Sequence, residues 1–418
     1  MPDFATEKAI QPHRAVSVMR IAIVGVGGVG RVLARELADD SDVTGLLLLD
    51  KIAIPKAILA EIRRHTDVVS RELDADRKGA VARAIPGYDV VVNTAHPSYN
   101  RGIMRAALAA GTDYLDVAST GPRRPGGRPG ILEQLEMDSA FSDAGRTALL
   151  SMGLDPGMSN VMAREAADHF DRIDEIRIRS GGTVRIRNGQ AYPRFVPLYA
   201  REAFFEDIRI PPTVWQDGQL IEHELLSGGE DYEFPAPVGM QTTFLVAHEE
   251  VKTLPLYLGK PVGRVDFKYA VNPDLAHALR ALENLELFDE KKRVAIERKS
   301  VPFRAAFESV FPEPATVAQR LDGTKCLSVE VEGTQGGRRR IVRANIVFTH
   351  QEAARRRRTT AVYYLTGVAA EIGVRLMERG ILRSPGVYPA ESLDPAAVFE
   401  EWAARDLPIA RVTLSTST

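Results

Sequence analysis

Cysteine is almost missing from this sequence: Cys326 is the only one in 418 residues. No internal disulfide and no thiolate-ligated metal cluster can form, and a reducing, cytoplasmic setting is the expectation. Cys326 lies in the alternating run Cys326-Leu327-Ser328-Val329-Glu330-Val331-Glu332, which reads as a half-buried strand position ahead of a reactive thiol. Long apolar runs are missing as well. Residues 1–19 lack the apolar core of a signal peptide and read as a flexible tail, and no later stretch approaches the ~20 apolar residues of a membrane span. Nor is there an excess of either charge: 54 basic against 56 acidic residues leave a formal net charge of -2, so nothing electrostatic points to nucleic acid or an anionic membrane. No repeat of fixed period is evident. With 44% hydrophobic and 26% charged residues, the chain has the balance of a soluble globular protein with two domains and a small-molecule partner.

What is present is a regular alternation. Ile21 to Val24 reads as a strand, Gly25 to Gly30 as a glycine turn, Val32 to Ala38 as a helix, and Val43 to Leu49 as a second strand closed by Asp50. Further strands are expected at Val68–Leu73, Asp89–Asn93, Tyr114–Val117 and Thr147–Met152, with helices at Ile54–Arg64, Lys78–Ala84 and Arg101–Ala110. Runs such as Val90-Val91-Val92 suit a parallel sheet covered on both faces. The expectation for residues 20–156 is therefore a doubly wound, six-stranded parallel sheet. The stretch Gly121 to Gly130 is a loop, because glycine and proline punctuate it nearly throughout; a lid and a surface insertion are equally open readings.

After Pro156 longer polar-apolar alternation appears at Glu175–Ser180, Thr242–Ala247, Arg264–Tyr269, Lys325–Glu332 and Ile341–Phe348. Residues 157–359 thus read as an α+β domain on a mixed sheet, binding substrate and carrying a dimer contact. Val362, Leu365, Ala369, Ile372 and Leu376 recur at helical spacing and predict an amphipathic helix ending near Arg379-Gly380. Residues 360–418 are expected to return to the first domain. The basic run Arg355 to Arg358 reads as a solvated loop ahead of a phosphate patch.

Gly25-Val26-Gly27-Gly28-Val29-Gly30 carries the chemistry. In a GxGxxG turn the first glycine allows the bend, the second lets backbone approach a pyrophosphate, and the third packs helix on strand, with the helix N-terminus facing the negative charge. The hexapeptide alone is weak, but here it follows an apolar strand, opens a helix, and is answered by Asp50 twenty residues after Gly30. The expectation is a Rossmann-type dinucleotide site. Asp50 would accept bonds from ribose hydroxyls and repel a 2′-phosphate, which favours NAD, while Lys51 beside it leaves NADP open. Asp74 and Ala75 sit where an adenine ring would lie, or form a capping turn. Asn93, Thr94, Ala95 and His96, at the end of the fourth strand, are expected beside the cofactor's second ribose or the nicotinamide, and Ala118, after the fifth, is a further cofactor contact.

These segments together resemble the saccharopine dehydrogenase superfamily, with its saccharopine reductases, lysine 6-dehydrogenase and carboxynorspermidine dehydrogenase. The resembling stretches are Ile21 to Gly30, Val92 to Pro97, Gly111 to Ala118, the turn Gly153-Leu154-Asp155-Pro156-Gly157, the helix at Tyr364 to Ala370 and the closing Gly386 to Glu391. They span nearly the whole chain and are sparse between residues 181 and 360. The resemblance implies hydride exchange between a nicotinamide and a carbon bearing nitrogen, through an imine, on an amino acid, opine or polyamine-like substrate, with no metal required. Two departures stand out. His96 replaces a smaller apolar residue, and Ser151-Met152 stand where saccharopine reductases often carry a cysteine.

Such a reaction needs one managed proton and an anchored carboxylate. For the proton the candidates are His248, followed by Glu249 and by Thr253-Leu254-Pro255 as in relatives, and Asp116 at the ligand-facing end of the fifth strand. For the substrate they are Arg194 and Arg201, whose guanidinium forks suit a carboxylate, with Tyr192 and Glu249. Two other readings stay open: a dehydrogenase of an alcohol or aldehyde carbon, and a non-catalytic sensor of the NADH to NAD ratio. A homodimer is the expected assembly.

Overall fold

The computed structural model describes residues 18–119, 130–187, 195–289, 291–297, 299–382, 384–407 and 409–415. The tail, almost all of the glycine-proline loop, and Tyr192 and Arg194 lie outside these.

Six parallel strands follow one another as expected: β1 Met19–Val24, β2 Val43–Asp50, β3 Asp67–Glu72, β4 Val90–Asn93, β5 Asp113–Asp116 and β6 Thr147–Leu150. Their spatial order is β3-β2-β1-β4-β5-β6. The order reverses between β1 and β4, which opens a crevice at the strands' C-terminal ends, where such sheets bind ligands. Successive residues of one strand feed opposite cores: Ile21, Ile23, Leu46 and Leu48 pack on one face, Ala22, Val24, Leu47 and Leu49 on the other. That two-sided burial is why these strands read as unbroken apolar runs.

Among the described residues the sheet has seven strands, not six. Gly386–Pro389 pairs in parallel with β6, so the closing segment completes a sheet begun more than three hundred residues earlier. Nearest-neighbour patterning cannot reveal such a return. Residues 360–418 divide differently from the expectation as well, since the last strand, Ala410–Ser415, joins the second sheet beside Arg338–Thr349.

That second sheet is mixed and, among the described residues, nine-stranded. Its centre is the strand Arg172–Ile186, parallel to Val262–Ala270 on one side and antiparallel to Leu321–Gln335 on the other. The long hairpin Leu321–Gln335 and Arg338–Thr349 turns on Gly336 and Gly337, both at positive φ (55° and 75°), as a two-residue hairpin turn requires.

The helix Ala361–Glu378 is buried around almost its whole circumference, where one apolar stripe was expected. It lies against the helix α1, Gly28–Ala38, and its residues join the core shared by both sheets. A Cβ on Gly367 would meet Val32 Cγ1 at 2.6 Å, so the close approach of these helices depends on that missing side chain. The basic run is the end of the helix His350–Arg357 rather than a solvated loop. Arg355 and Arg356 pair with Glu352, and Arg357 pairs with Glu36 and Asp39 of the first sheet's unit. Cys326 is fully buried in its strand. Among the described residues no helix is long and apolar enough to cross a membrane.

Candidate active site

The glycine turn has the shape a dinucleotide needs. Gly25 adopts φ +88°, and a Cβ there would fall 2.4 Å from the Ala95 amide nitrogen. A Cβ on Gly30 would lie 2.0 Å from the Gly25 carbonyl oxygen, so helix and strand meet only because it is absent. Beside Gly27 there is open space, at the head of an eleven-residue helix whose first amides have no side-chain cap. An open approach to uncapped amides fits a pyrophosphate. Asp50 ties this turn to β2: its Oδ2 accepts from the Val26 amide at 2.6 Å and its Oδ1 from the Ile52 amide at 2.9 Å. Lys51 is exposed beside it.

The turn after β4 is held by its own side chains. Asn93 is buried, donates to Asn100 Oδ1 at 2.7 Å and accepts from the Ala95 amide, while Thr94 donates to the Gly25 carbonyl at 2.5 Å. These two position the turn; Ala95, His96 and Pro97 are the members that line the cleft. Asp74 accepts from the Asp76 amide at 3.1 Å, the geometry of a capping turn.

The cleft, about 220 Å³, lies between the crevice and the second sheet. Val29, Ala95, Val117 and Ala118 form its cofactor-side wall. Groups of both signs also line it, including Asp155, Glu206, Asp207, Glu249, Lys252 and Lys325. His248 reaches it from the segment between the strand Gly239–Leu245 and the helix Glu250–Tyr257. Its ring stacks on Phe267 with centroids 3.6 Å apart, and its Nδ1 is 2.5 Å from Glu250 Oε2. Glu250 Oε1 in turn accepts from Ser159 Oγ at 2.6 Å. Burial is the largest influence on His248 and works to lower its pKa, but the charge and hydrogen bond of Glu250, with Glu249 and Asp155 beyond, outweigh it and raise the imidazolium to about 9. Glu249 accepts from the Ser119 amide. The donor atoms of His248, Glu249 and Glu250 converge within 4.8 Å, close enough to hold a metal ion, and all three residues are engaged in these hydrogen bonds.

The helix Arg201–Asp207 presents Glu206 and Asp207 to the same cleft. Burial raises the Asp207 carboxyl to about 7, against a 2.8 Å hydrogen bond from the Tyr199 hydroxyl that works to lower it. His96 Nε2 meets Glu206 at 2.8 Å, bridging the turn after β4 to this helix.

Not all of the site residues expected from sequence line the cleft. His248 and Glu249 line the cleft with Ala95, His96, Val29 and Ala118. Asp116 does not: it is buried behind the sheet edge, accepting from Tyr114, Gln134 and the Ser151 amide, and burial lifts its carboxyl to about 7. Arg201 also turns away, donating to the Phe311 carbonyl at 2.7 Å. Sequence reading did not single out Lys325, Glu206, Asp207, Lys252 and Tyr269, nor give Asp155 a role. The one available signal was Lys325, which shares the phase of Leu327, Val329 and Val331 in its strand and so stands where an apolar residue belongs.

The profile of the saccharopine dehydrogenase C-terminal domain matches residues 153–405, and that of the saccharopine dehydrogenase NADP binding domain matches residues 21–149. The chain is 27% identical over 397 residues to carboxyaminopropylagmatine dehydrogenase of Synechocystis sp., covering 93% of this chain and 96% of that protein. It is 25% identical over 400 residues to carboxynorspermidine synthase of Vibrio alginolyticus, covering 91% and 94%. The structure of saccharopine dehydrogenase (L-Glu forming) from Saccharomyces cerevisiae superposes with a TM-score of 0.71 at 13% identity, covering 95% of this chain and all of that one. A glycine turn built for a dinucleotide and family profiles along almost the full length make this protein a member of the saccharopine dehydrogenase family and a nicotinamide-dependent oxidoreductase.

Proposed function

We propose that the protein interconverts a secondary amine and an imine on a carboxylated, polyamine-type substrate. The observation that carries this reading is the cleft itself, which small residues on the cofactor side share with His248 and a set of carboxylates. Carboxylates suit a substrate rich in ammonium groups, and the two relatives above are named for carboxylated polyamines. The nicotinamide, when bound, exchanges a hydride with the substrate carbon. The remaining work belongs to the chain. Small side chains at Ala95 and Ala118 admit the reacting atoms, Glu206 and Asp207 draw the substrate's cationic arm, and Glu249 orients its nitrogen. His248, with Nδ1 held by Glu250, carries the proton to and from that nitrogen at its Nε2. Tyr192 and Arg194 remain candidates for the same substrate.

NAD is the cofactor we infer, because the Asp50 carboxylate at the end of β2 opposes a 2′-phosphate. A cytoplasmic location fits the buried single thiol, and a two-fold homodimer is the assembly we propose on symmetry grounds.

The test is absorbance of the reduced nicotinamide. Purified protein with NAD or NADP is offered carboxynorspermidine, carboxyaminopropylagmatine and a panel of amino acids and alcohols at mildly alkaline pH. Reduction with a carboxylated polyamine is expected. Turnover confined to alcohols, or none despite tight dinucleotide binding, would replace the proposal with the dehydrogenase or the sensor reading.

A further inference from the structure

Lys325 occupies an apolar position. In the strand Leu321–Gln335 its phase is that of Leu327, Val329 and Val331, which belong to the hydrophobic core, and its side chain is only 1% exposed. An ammonium group persists in such surroundings only when paired. Its Nζ is 3.0 Å from Asp155 Oδ2 and donates to Ser180 Oγ, which itself donates to the same carboxylate oxygen at 2.6 Å. The ammonium also lies 5.2 Å from the centroid of the Tyr269 ring. Burial works to lower the Lys325 pKa, but Asp155 and the Tyr269 hydroxyl outweigh it, and the ammonium stays charged.

Three elements meet here: the turn Gly153 to Gly157, the strand Arg172–Ile186 with Ser180, and the strand of Lys325. A lysine ammonium has three N–H donors. Two are taken by Asp155 and Ser180, and no described residue takes the third. Asp155 Oδ1 has no hydrogen bond from a described residue either. Both side chains line the cleft, so the pair offers one N–H and one carboxylate oxygen side by side on its wall.

We propose that Lys325 and Asp155 are the specificity-determining seat for the amino-acid head of the substrate, Lys325 Nζ receiving the carboxylate and Asp155 Oδ1 the neighbouring amine N–H. The inference rests on the function proposed above and assigns its carboxylate anchor. Among the other cations near the cleft, Lys252 Nζ donates to the His248 carbonyl at 2.8 Å, His96 is held by Glu206 and Arg201 by the Phe311 carbonyl, and His248 is given the proton transfer above.

The experiment is calorimetric titration of the NADH-saturated protein, which binds without turning over, using carboxynorspermidine against norspermidine and, as a second pair, L-lysine against cadaverine. Within each pair the second ligand lacks the carboxylate. The wild type is expected to prefer a carboxylated ligand by about ten- to a hundredfold, the range of one charge-assisted hydrogen bond. Lys325→Met is expected to abolish that preference while leaving norspermidine binding and NADH affinity within about twofold, and Lys325→Arg to keep part of it. The double variant Lys325→Met/Asp155→Asn removes both charges, so loss of preference can be read without a lone buried carboxylate disturbing the fold. A preference that survives in Lys325→Met, or a wild type with no preference in either pair, overturns the seat. Preference for L-lysine alone, lost in Lys325→Met, upholds the seat and overturns the polyamine reading.

Discussion

His248 illustrates how one carboxylate can set both the chemistry and the pH response of a site. Its imidazole sits between an aromatic face and a buried acid, and Glu250 is what keeps it protonated to about 9. Replacing that acid by an amide, Glu250→Gln, leaves burial as the main influence, so the imidazole pKa falls below its ordinary value near 6.5. The alkaline limb of kcat/KM is expected to move by at least about one pH unit to the acid side. Stability follows the same sign. Because the folded pKa is raised, the imidazolium's contribution is complete below about pH 6.5 and is lost as pH rises through about 9. In the wild type that loss amounts to at most about 3 kcal/mol, and in Glu250→Gln it is absent. Thermal midpoints at pH 6 and 9 for both proteins check this; an unchanged limb and equal midpoint shifts would show that Glu250 does not govern His248.

A second residue-scale expectation concerns Asp50, whose carboxylate already bonds the Val26 and Ile52 amides. Asp50→Gly removes a charge opposed to a 2′-phosphate and is expected to move the NAD to NADP ratio of kcat/KM toward NADP, by a few kcal/mol at most. Part of the NAD affinity is lost with it, because the glycine turn loses its tie to β2. A ratio that stays where it was would place the ribose contact on another residue.

Among the elements, the helix Ala361–Glu378 contributes to the core that the two sheets share. It packs on α1 through Gly367 and lays Tyr363 over Gly28, where a Cβ would fall 2.5 Å from the ring. Glycine lowers helix propensity by up to ~1 kcal/mol, so its use at 367 is explained by proximity rather than by local structure. Gly367→Val would force Val32 and the Leu33 backbone apart and should cost about 1–3 kcal/mol. It should also weaken NADH binding, since α1 carries the glycine turn. Denaturation midpoints and fluorescence titration read the two effects, and a folded variant with unaltered midpoint would contradict this packing.

Across the whole molecule, legibility tracked the distance over which an interaction acts. The strands of the first sheet and the glycine turn with its answering acid are governed by burial on both faces and by backbone sterics within some thirty residues, and those leave periodic marks. The seventh strand at Gly386–Pro389 left no comparable mark, because a strand's partner is chosen by the rest of the fold. The basic run departs from the solvated loop expected of it for the same reason: Arg357 is explained by Glu36 and Asp39, which lie on a distant helix and its cap.

The candidate site divides along the same line. His248 and Glu249 stand in a recognisable local sequence and were found there. Asp116 stood at the right end of the right strand, yet hydrogen bonds from Tyr114, Gln134 and Ser151 turn its carboxylate away from the cleft. The dinucleotide turn and the run of parallel strands were settled by the sequence alone, since they follow from steric rules acting on neighbours. Which charges share the cleft was decided only by tertiary structure, because Asp155, Ser180 and Lys325 come from three separate segments, and an ammonium can be buried only where folding brings it a carboxylate.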